Sequence, residues 1–132
     1  MYLQFDQDTA EKRKAFIAEY NKGIKAAKSI VIGGAGPVGV EVAADIKLRF
    51  KEKEVSLVHS TAGVLEAMPT QYSALAAQFL QKSGVHLILN TKVVDFTGRE
   101  VSLSNGNKIP CDLYIPSFSG KPNTSFANTG IP

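Results

Sequence analysis

The chain has 132 residues, of which 44% are hydrophobic and 20% charged, with a net charge of +3. That length suits one domain with a real core rather than two, and the composition is that of a folded polymer, not a disordered one. Cys111 is the sole cysteine and His59 and His86 the only histidines, which excludes an internal disulfide, a Cys-x-x-Cys redox pair and a cysteine-based metal site, so no metal is expected.

Along the chain, Asp8-Thr9-Ala10-Glu11 reads as a helix start, and Phe16, Tyr20 and Ile24 then recur every four residues as one apolar stripe. Lys12, Arg13, Lys14, Lys22, Lys25 and Lys28 carry much of the positive charge, but Glu11 and Glu19 are interspersed. This is first the pattern of a solvated helix face, with a nucleic-acid patch a distant second reading and no strong nucleic-acid signal. Ser29 to Gly33 is a short β-branched run suited to a strand buried on both faces. After the glycines that follow it, Pro37 opens a second helix with Gly39, Val42, Ala43, Ile46 and Phe50 on its buried side.

Glu54 to Ser60 is the second predicted strand. Thr70 is expected to cap a third helix, along which Tyr72, Leu75, Ala76, Phe79 and Leu80 recur at helical spacing and which stops at Gly84. Val85 to Asn90 is a third strand; Lys92 to Phe96 and Glu100 to Ser104 are short ones, with a two-residue hairpin turn at Asn105-Gly106. Asp112 to Pro116 is the last, ending toward Ser119-Gly120.

Strands alternating with helices predict an α/β fold: a Rossmann-like parallel sheet of order 3-2-1-4, with helices on its faces and an inserted antiparallel β-meander. The expected division of this single domain is an N-terminal helix (1–27), a βαβαβ core (28–90), the meander (91–111), the final strand (112–120) and a tail (121–132). No apolar run approaches the length of a membrane span, so no membrane-spanning segment is expected, nor does the N-terminus have the layout of a signal peptide.

The chemistry points to Gly34-Ala35-Gly36-Pro37-Val38-Gly39. This is Gly-x-Gly-x-x-Gly directly after a strand and opening a helix, the context in which the pattern binds a dinucleotide. Gly34 permits the tight turn, Gly36 lets a pyrophosphate approach the backbone, and Gly39 lets the helix pack closely on the strand. Free N–H groups and the helix dipole then face the anion.

About 20 residues beyond the glycines, an NAD or FAD site offers a carboxylate to the ribose hydroxyls. Here stand His59, Ser60 and Thr61. Without the carboxylate, FAD is disfavoured and NADPH becomes at least as suitable as NADH. His59 reads equally as a solvated strand-end residue. Glu41, off the buried stripe, reads from its position alone as a surface carboxylate favoured near a helix N-terminus.

The run from Lys28 to Asp45 closely resembles the second nucleotide motif of two-dinucleotide flavoprotein reductases, among them type II NADH dehydrogenases and disulfide reductases. Glu52 to Ser60 and Leu80 to Leu89 are most similar to apoptosis-inducing-factor-like flavoproteins of the ferroptosis-suppressor type, and Asp112-Leu-Tyr-Ile fits the following strand. The resemblance covers Ile24 to Gly120.

It implies an NAD(P)H domain inserted in an FAD domain, with hydride passing from nicotinamide to flavin and onward to a quinone or similar acceptor. It implies that Gly34, Gly36 and Gly39 hold the pyrophosphate, that Glu41 lies near the nicotinamide, and that Asn90-Thr91-Lys92-Val93 passes the adenine with Val93 in contact. Phe118-Ser119-Gly120 falls where the family ends in a small residue, Thr and Gly; Phe118 brings a bulky ring to the first of these positions and reads equally as core.

The expected cofactor is therefore NADH or NADPH, with FAD only in a longer parent. The expected partners are the pyridine nucleotide and the parent's FAD domain, and the chain alone is expected to be inactive. The competing expectation is a stand-alone pyridine-nucleotide-binding or sensing module.

Overall fold

The computed structural model describes residues 9–118. The elements run α1 (Ala10–Ala26), β1 (Ser29–Gly33), α2 (Pro37–Arg49), β2 (Glu54–Val58), α3 (Thr70–Lys82), β3 (Val85–Ile88), β4 (Val93–Phe96), β5 (Glu100–Leu103), β6 (Lys108–Pro110) and β7 (Leu113–Pro116). Four strands form a parallel sheet of order β3-β2-β1-β7, and β4-β5-β6 form a separate antiparallel sheet. The parallel sheet and the inserted meander are those expected from the sequence.

Because side chains alternate along a strand, the parallel sheet has two distinct faces. Ile30, Ile32, Val55, Leu57, Leu113 and Ile115 face one core, which they share with Tyr20 of α1, Ala43 and Ile46 of α2 and Leu80 of α3. Val31, Val58 and Tyr114 face the other way and pack with Val101, Leu103 and Cys111 of the meander region. Among the described residues the three helices thus share one face, and the meander takes the place of helices on the other. The anchor between β1 and β7 is Asp112, whose carboxylate accepts from the N–H groups of Lys28 (2.8 Å) and Ser29 (3.1 Å). These bonds, Ser29's first, hold its carboxyl below the usual carboxylate value.

Three local expectations are corrected. Thr70 is the first residue of α3 rather than its cap; Pro69 precedes the helix and makes no side-chain cap. The stripe read along α3 splits: Leu80 is buried, but Tyr72, Leu75 and Phe79 are 50%, 62% and 51% exposed. The helix neighbours β3 and α2 and turns Ala76, Ala77 and Leu80 to the core, which leaves the larger side chains facing out.

Asn105-Gly106 does not form a two-residue turn. Leu103 pairs with Asn107 across a three-residue loop in which Gly106 alone has positive φ (+89°), while the Asn105 side chain accepts from the Asn107 N–H. A two-residue type I′ turn would need Asn105 at positive φ as well.

Other features follow the sequence. Thr9 caps α1 through the Lys12 N–H, Pro37 occupies the first turn of α2, and Gly84 (φ +91°) follows the end of α3. Lys53, though buried, donates from Nζ to the carbonyls of Lys25 (2.9 Å) and Ala27 (2.6 Å), so its charge closes the C-terminal end of α1.

Candidate functional site

A cleft of about 360 Å³ opens at the C-terminal ends of β1, β2 and β7, its wall formed by Gly33, Gly34, Val58, His59, Ser60, Lys92, Val93, Tyr114 and Phe118. This is the crevice beyond the carboxyl ends of the strands where open parallel sheets bind ligands. β1 and β7 are its switch point: the chain leaves β1 toward β2 and β3 and returns on β1's other side as β7.

The three glycines of the motif have three different reasons to be glycine. Gly34 has φ +106°, a conformation other residues rarely adopt. At Gly39 a Cβ would overlap the Gly34 carbonyl and the Ser117 hydroxyl, so helix and loop could not approach as they do. At Gly36 a Cβ would meet nothing within 4 Å, and its φ of −72° suits any residue. Folding does not require glycine there; open space over the start of α2 is what it preserves. The Val38 and Gly39 N–H groups behind that space make no hydrogen bond to a described residue.

The loop is held from two sides. Ser117 Oγ lies within hydrogen-bonding distance of the carbonyl oxygens of Gly33 (3.0 Å) and Gly34 (2.9 Å), and its N–H donates to Gly33 at 2.7 Å. On the other side the Ala35 N–H donates to His59 Nδ1 at 3.1 Å, and the Ala35 carbonyl accepts from the Leu65 N–H at 2.8 Å. Leu65 (φ +52°), between β2 and α3, and Asn90 (φ +53°), between β3 and β4, are the two non-glycine residues at positive φ among those described.

Of the predicted site residues, the structure brings Gly34, His59, Ser60 and Val93 onto one wall, with Gly36, Pro37, Val38 and Gly39 at the adjoining start of α2. Ala35 lies fully buried behind the loop, its N–H already bonded to His59. Thr61 is not on the wall: its hydroxyl is buried without a partner among the described residues, and only its backbone serves, accepting from the Asn90 N–H. Glu41 is exposed on α2 and also lies off the wall. Ser119 and Gly120 lie outside the described residues. Phe118 is not core but 66% exposed on the cleft wall.

Sequence reasoning missed Tyr114 and Ser117. The signal for Tyr114 was the glycine doublet: its hydroxyl would stand 2.5 Å from a Cβ at Gly33, so the ring fits only over a glycine. Ser117 carries no comparable signal. Cys111 is buried, and burial pushes its thiol up to about 11, which removes it from thiolate chemistry near neutral pH.

Residues 3–132 match the family model of the pyridine nucleotide-disulphide oxidoreductases. The chain belongs to that family. Among its relatives is the oxidoreductase ptaL of Pestalotiopsis fici, 37% identical over 119 residues, which cover 86% of this chain and 32% of the relative. Ferroptosis suppressor protein 1 of Xenopus tropicalis is 39% identical over 105 residues, covering 71% of this chain and 28% of that protein. The chain thus spans about a third of the length of the curated relatives it matches. The water-forming NADH oxidase from Lactobacillus brevis, solved bound to NADH, shares the fold over 94% of this chain and 29% of its own, with a TM-score of 0.68 and 23% identity. The likeness to apoptosis-inducing-factor-like flavoproteins drawn from the sequence agrees with these relatives.

Proposed function

We propose that the cleft binds NADH or NADPH and that the chain presents the nicotinamide to an FAD held by another domain of a longer oxidoreductase, for delivery of hydride and onward reduction of a quinone or similar acceptor. The observation that carries the reading is the space over Gly36, backed by the unpartnered N–H groups of Val38 and Gly39 at the start of α2. A pyrophosphate fits there because backbone donors and the helix dipole converge on a surface that no described side chain covers. Family membership and the NADH-bound oxidase of the same fold support it.

In this reading Val93 and Phe118 offer apolar wall to the adenosine half of the ligand, and Ser60 and Lys92 offer donors to its polar edge. Among the described residues no carboxylate lines the wall, so none of them repels a 2′-phosphate there. Glu41, exposed on α2, stands toward the nicotinamide end and helps to orient that ring; Ser119 and Gly120, which lie outside the described residues, are assigned to the ligand from the family resemblance alone. When bound, the pyridine nucleotide supplies the hydride; the chain's part is to bind it, orient it and hold its pyrophosphate.

Calorimetry with NADH, NADPH and FAD tests the proposal. A pyridine nucleotide is expected to bind and FAD is not. Tight FAD binding, or no response to either pyridine nucleotide at millimolar concentration, would overturn it.

A further inference from the structure

His59 stands where a strand end meets the glycine loop, and it is fixed more firmly than a solvated side chain requires. Its own N–H donates to the Ile88 carbonyl (2.9 Å), and its carbonyl accepts from the Thr91 N–H (2.9 Å). The backbone at position 59 is thereby tied to the end of β3 and to the turn that follows. From this anchored position the ring reaches across, and Nδ1 accepts the Ala35 N–H at 3.1 Å. Ala35 is fully buried, and its carbonyl is already bonded to Leu65, so both of its backbone polar groups are engaged.

Among the described residues the loop therefore has one side-chain partner on the β2 side, His59 at Ala35, and one on the β7 side, Ser117 at the carbonyls of Gly33 and Gly34. Only a ring with a lone pair on Nδ1 can accept that proton. The bond thus selects the neutral tautomer with its N–H on Nε2. Nε2 makes no hydrogen bond to a described residue, and His59 lies on the cleft wall.

We infer that His59 is the positioning residue of the glycine loop: its Nδ1 takes the Ala35 N–H out of circulation and holds the loop in its ligand-ready shape, while Nε2–H is left as a donor to the bound dinucleotide. The inference rests on the pyridine-nucleotide reading of the cleft for its second half only. A carboxylate at this strand end accepts from ribose hydroxyls; this histidine, its acceptor already engaged by the loop, meets the ligand as a donor.

Two substitutions separate a latch from a mere wall residue. His59→Asn puts an amide oxygen close to where Nδ1 stands and keeps an acceptor for Ala35; His59→Leu keeps bulk and removes the acceptor. The first readout is amide hydrogen exchange in the ligand-free chain, with the Gly34 N–H, bonded to the Val58 carbonyl at 2.8 Å, as the internal control. In His59→Leu the Ala35 amide is expected to exchange roughly tenfold faster or more while Gly34 keeps its protection, in line with the loss of one intramolecular hydrogen bond. In His59→Asn, Ala35 is expected to stay protected.

The second readout is the Kd for NADPH and NADH. It is expected to rise about five- to tenfold in His59→Leu and to be partly restored in His59→Asn, which recovers the latch but not the Nε2 donor. Unchanged Ala35 exchange in His59→Leu, an equal rise at Gly34, or an asparagine variant no better than leucine on both readouts would overturn the assignment. If the unsubstituted chain bound neither nucleotide, the proposed function would fall, whereas the exchange experiment would still decide whether the latch exists.

Discussion

Gly36→Val separates binding from folding within a single loop. The backbone at position 36 has φ −72° and ψ −175°, an extended conformation that valine adopts without strain, and an added Cβ would find nothing within 4 Å. As the residue preceding α2 it makes no side-chain cap that valine would abolish, so the stability cost is expected to stay below about 1 kcal/mol. The branched side chain would nevertheless occupy the space in front of the Val38 and Gly39 N–H groups. A hydrogen bond from a neutral donor to a charged acceptor contributes roughly 1.5–3 kcal/mol. Losing two of them costs at least about 3 kcal/mol, on the order of a hundredfold in Kd. Thermal unfolding followed by circular dichroism, beside calorimetric titration with NADH and NADPH, measures both quantities on one preparation. A folded variant with undiminished affinity would refute the reasoning, because the open space would then have no connection with an anion.

Gly39→Ala is expected to fail in the opposite way. Its Cβ would overlap the Gly34 carbonyl and the Ser117 hydroxyl, and overpacking of roughly 1–3 kcal/mol or more should appear as a lowered Tm before any ligand is added. In α3, Leu80→Ala should cost about 2–5 kcal/mol of unfolding free energy, whereas Leu75→Ala, at a position 62% exposed, should stay within about 0.5 kcal/mol in the same urea titration. Asp112 gives a pH signature. Its folded-state pKa lies below its unfolded value, so its contribution is present above the ordinary carboxylate value of 3.8 and is lost as pH falls through the depressed one. Asp112→Asn should therefore lower stability at neutral pH and flatten the decline between pH 4 and pH 2, which denaturation midpoints across that range would show.

Much of the fold was legible because β1 and the glycine motif state their context locally. Ser29 to Gly33 is too short and too β-branched for a helix, and Pro37 allows one to start directly after the loop. The errors fall where tertiary placement overrides local pattern. The 3.6-residue spacing of Tyr72, Leu75 and Phe79 is real, but spacing identifies an apolar stripe without saying what covers it. In α3 the residues that pack on the core are Ala76, Ala77 and Leu80 instead. Likewise Asn105-Gly106 marks a turn correctly, while the length of the turn depends on Leu103 pairing with Asn107.

In the cleft the division between legible and hidden has a physical basis. A glycine motif records where side chains must be absent, and absences of that kind are visible in a sequence. The groups that hold the loop in shape are ordinary residues far from it: His59 lies 24 positions beyond Ala35, and Ser117 lies 83 beyond Gly34. Neither serine nor histidine is unusual at the end of a strand, and only the parallel pairing of β1 with β2 on one side and β7 on the other brings both to the same loop. Thr61 shows the converse. Its residue type suited a ribose contact, but two backbone bonds, from Asn90 to Thr61 and from Thr91 to His59, draw the segment toward the β3–β4 turn, and its hydroxyl is buried rather than on the cleft wall. Suitable polar chemistry at a strand end is therefore not sufficient for a ligand contact, and the bonds made by the neighbouring backbone decide which of His59, Ser60 and Thr61 face the cleft.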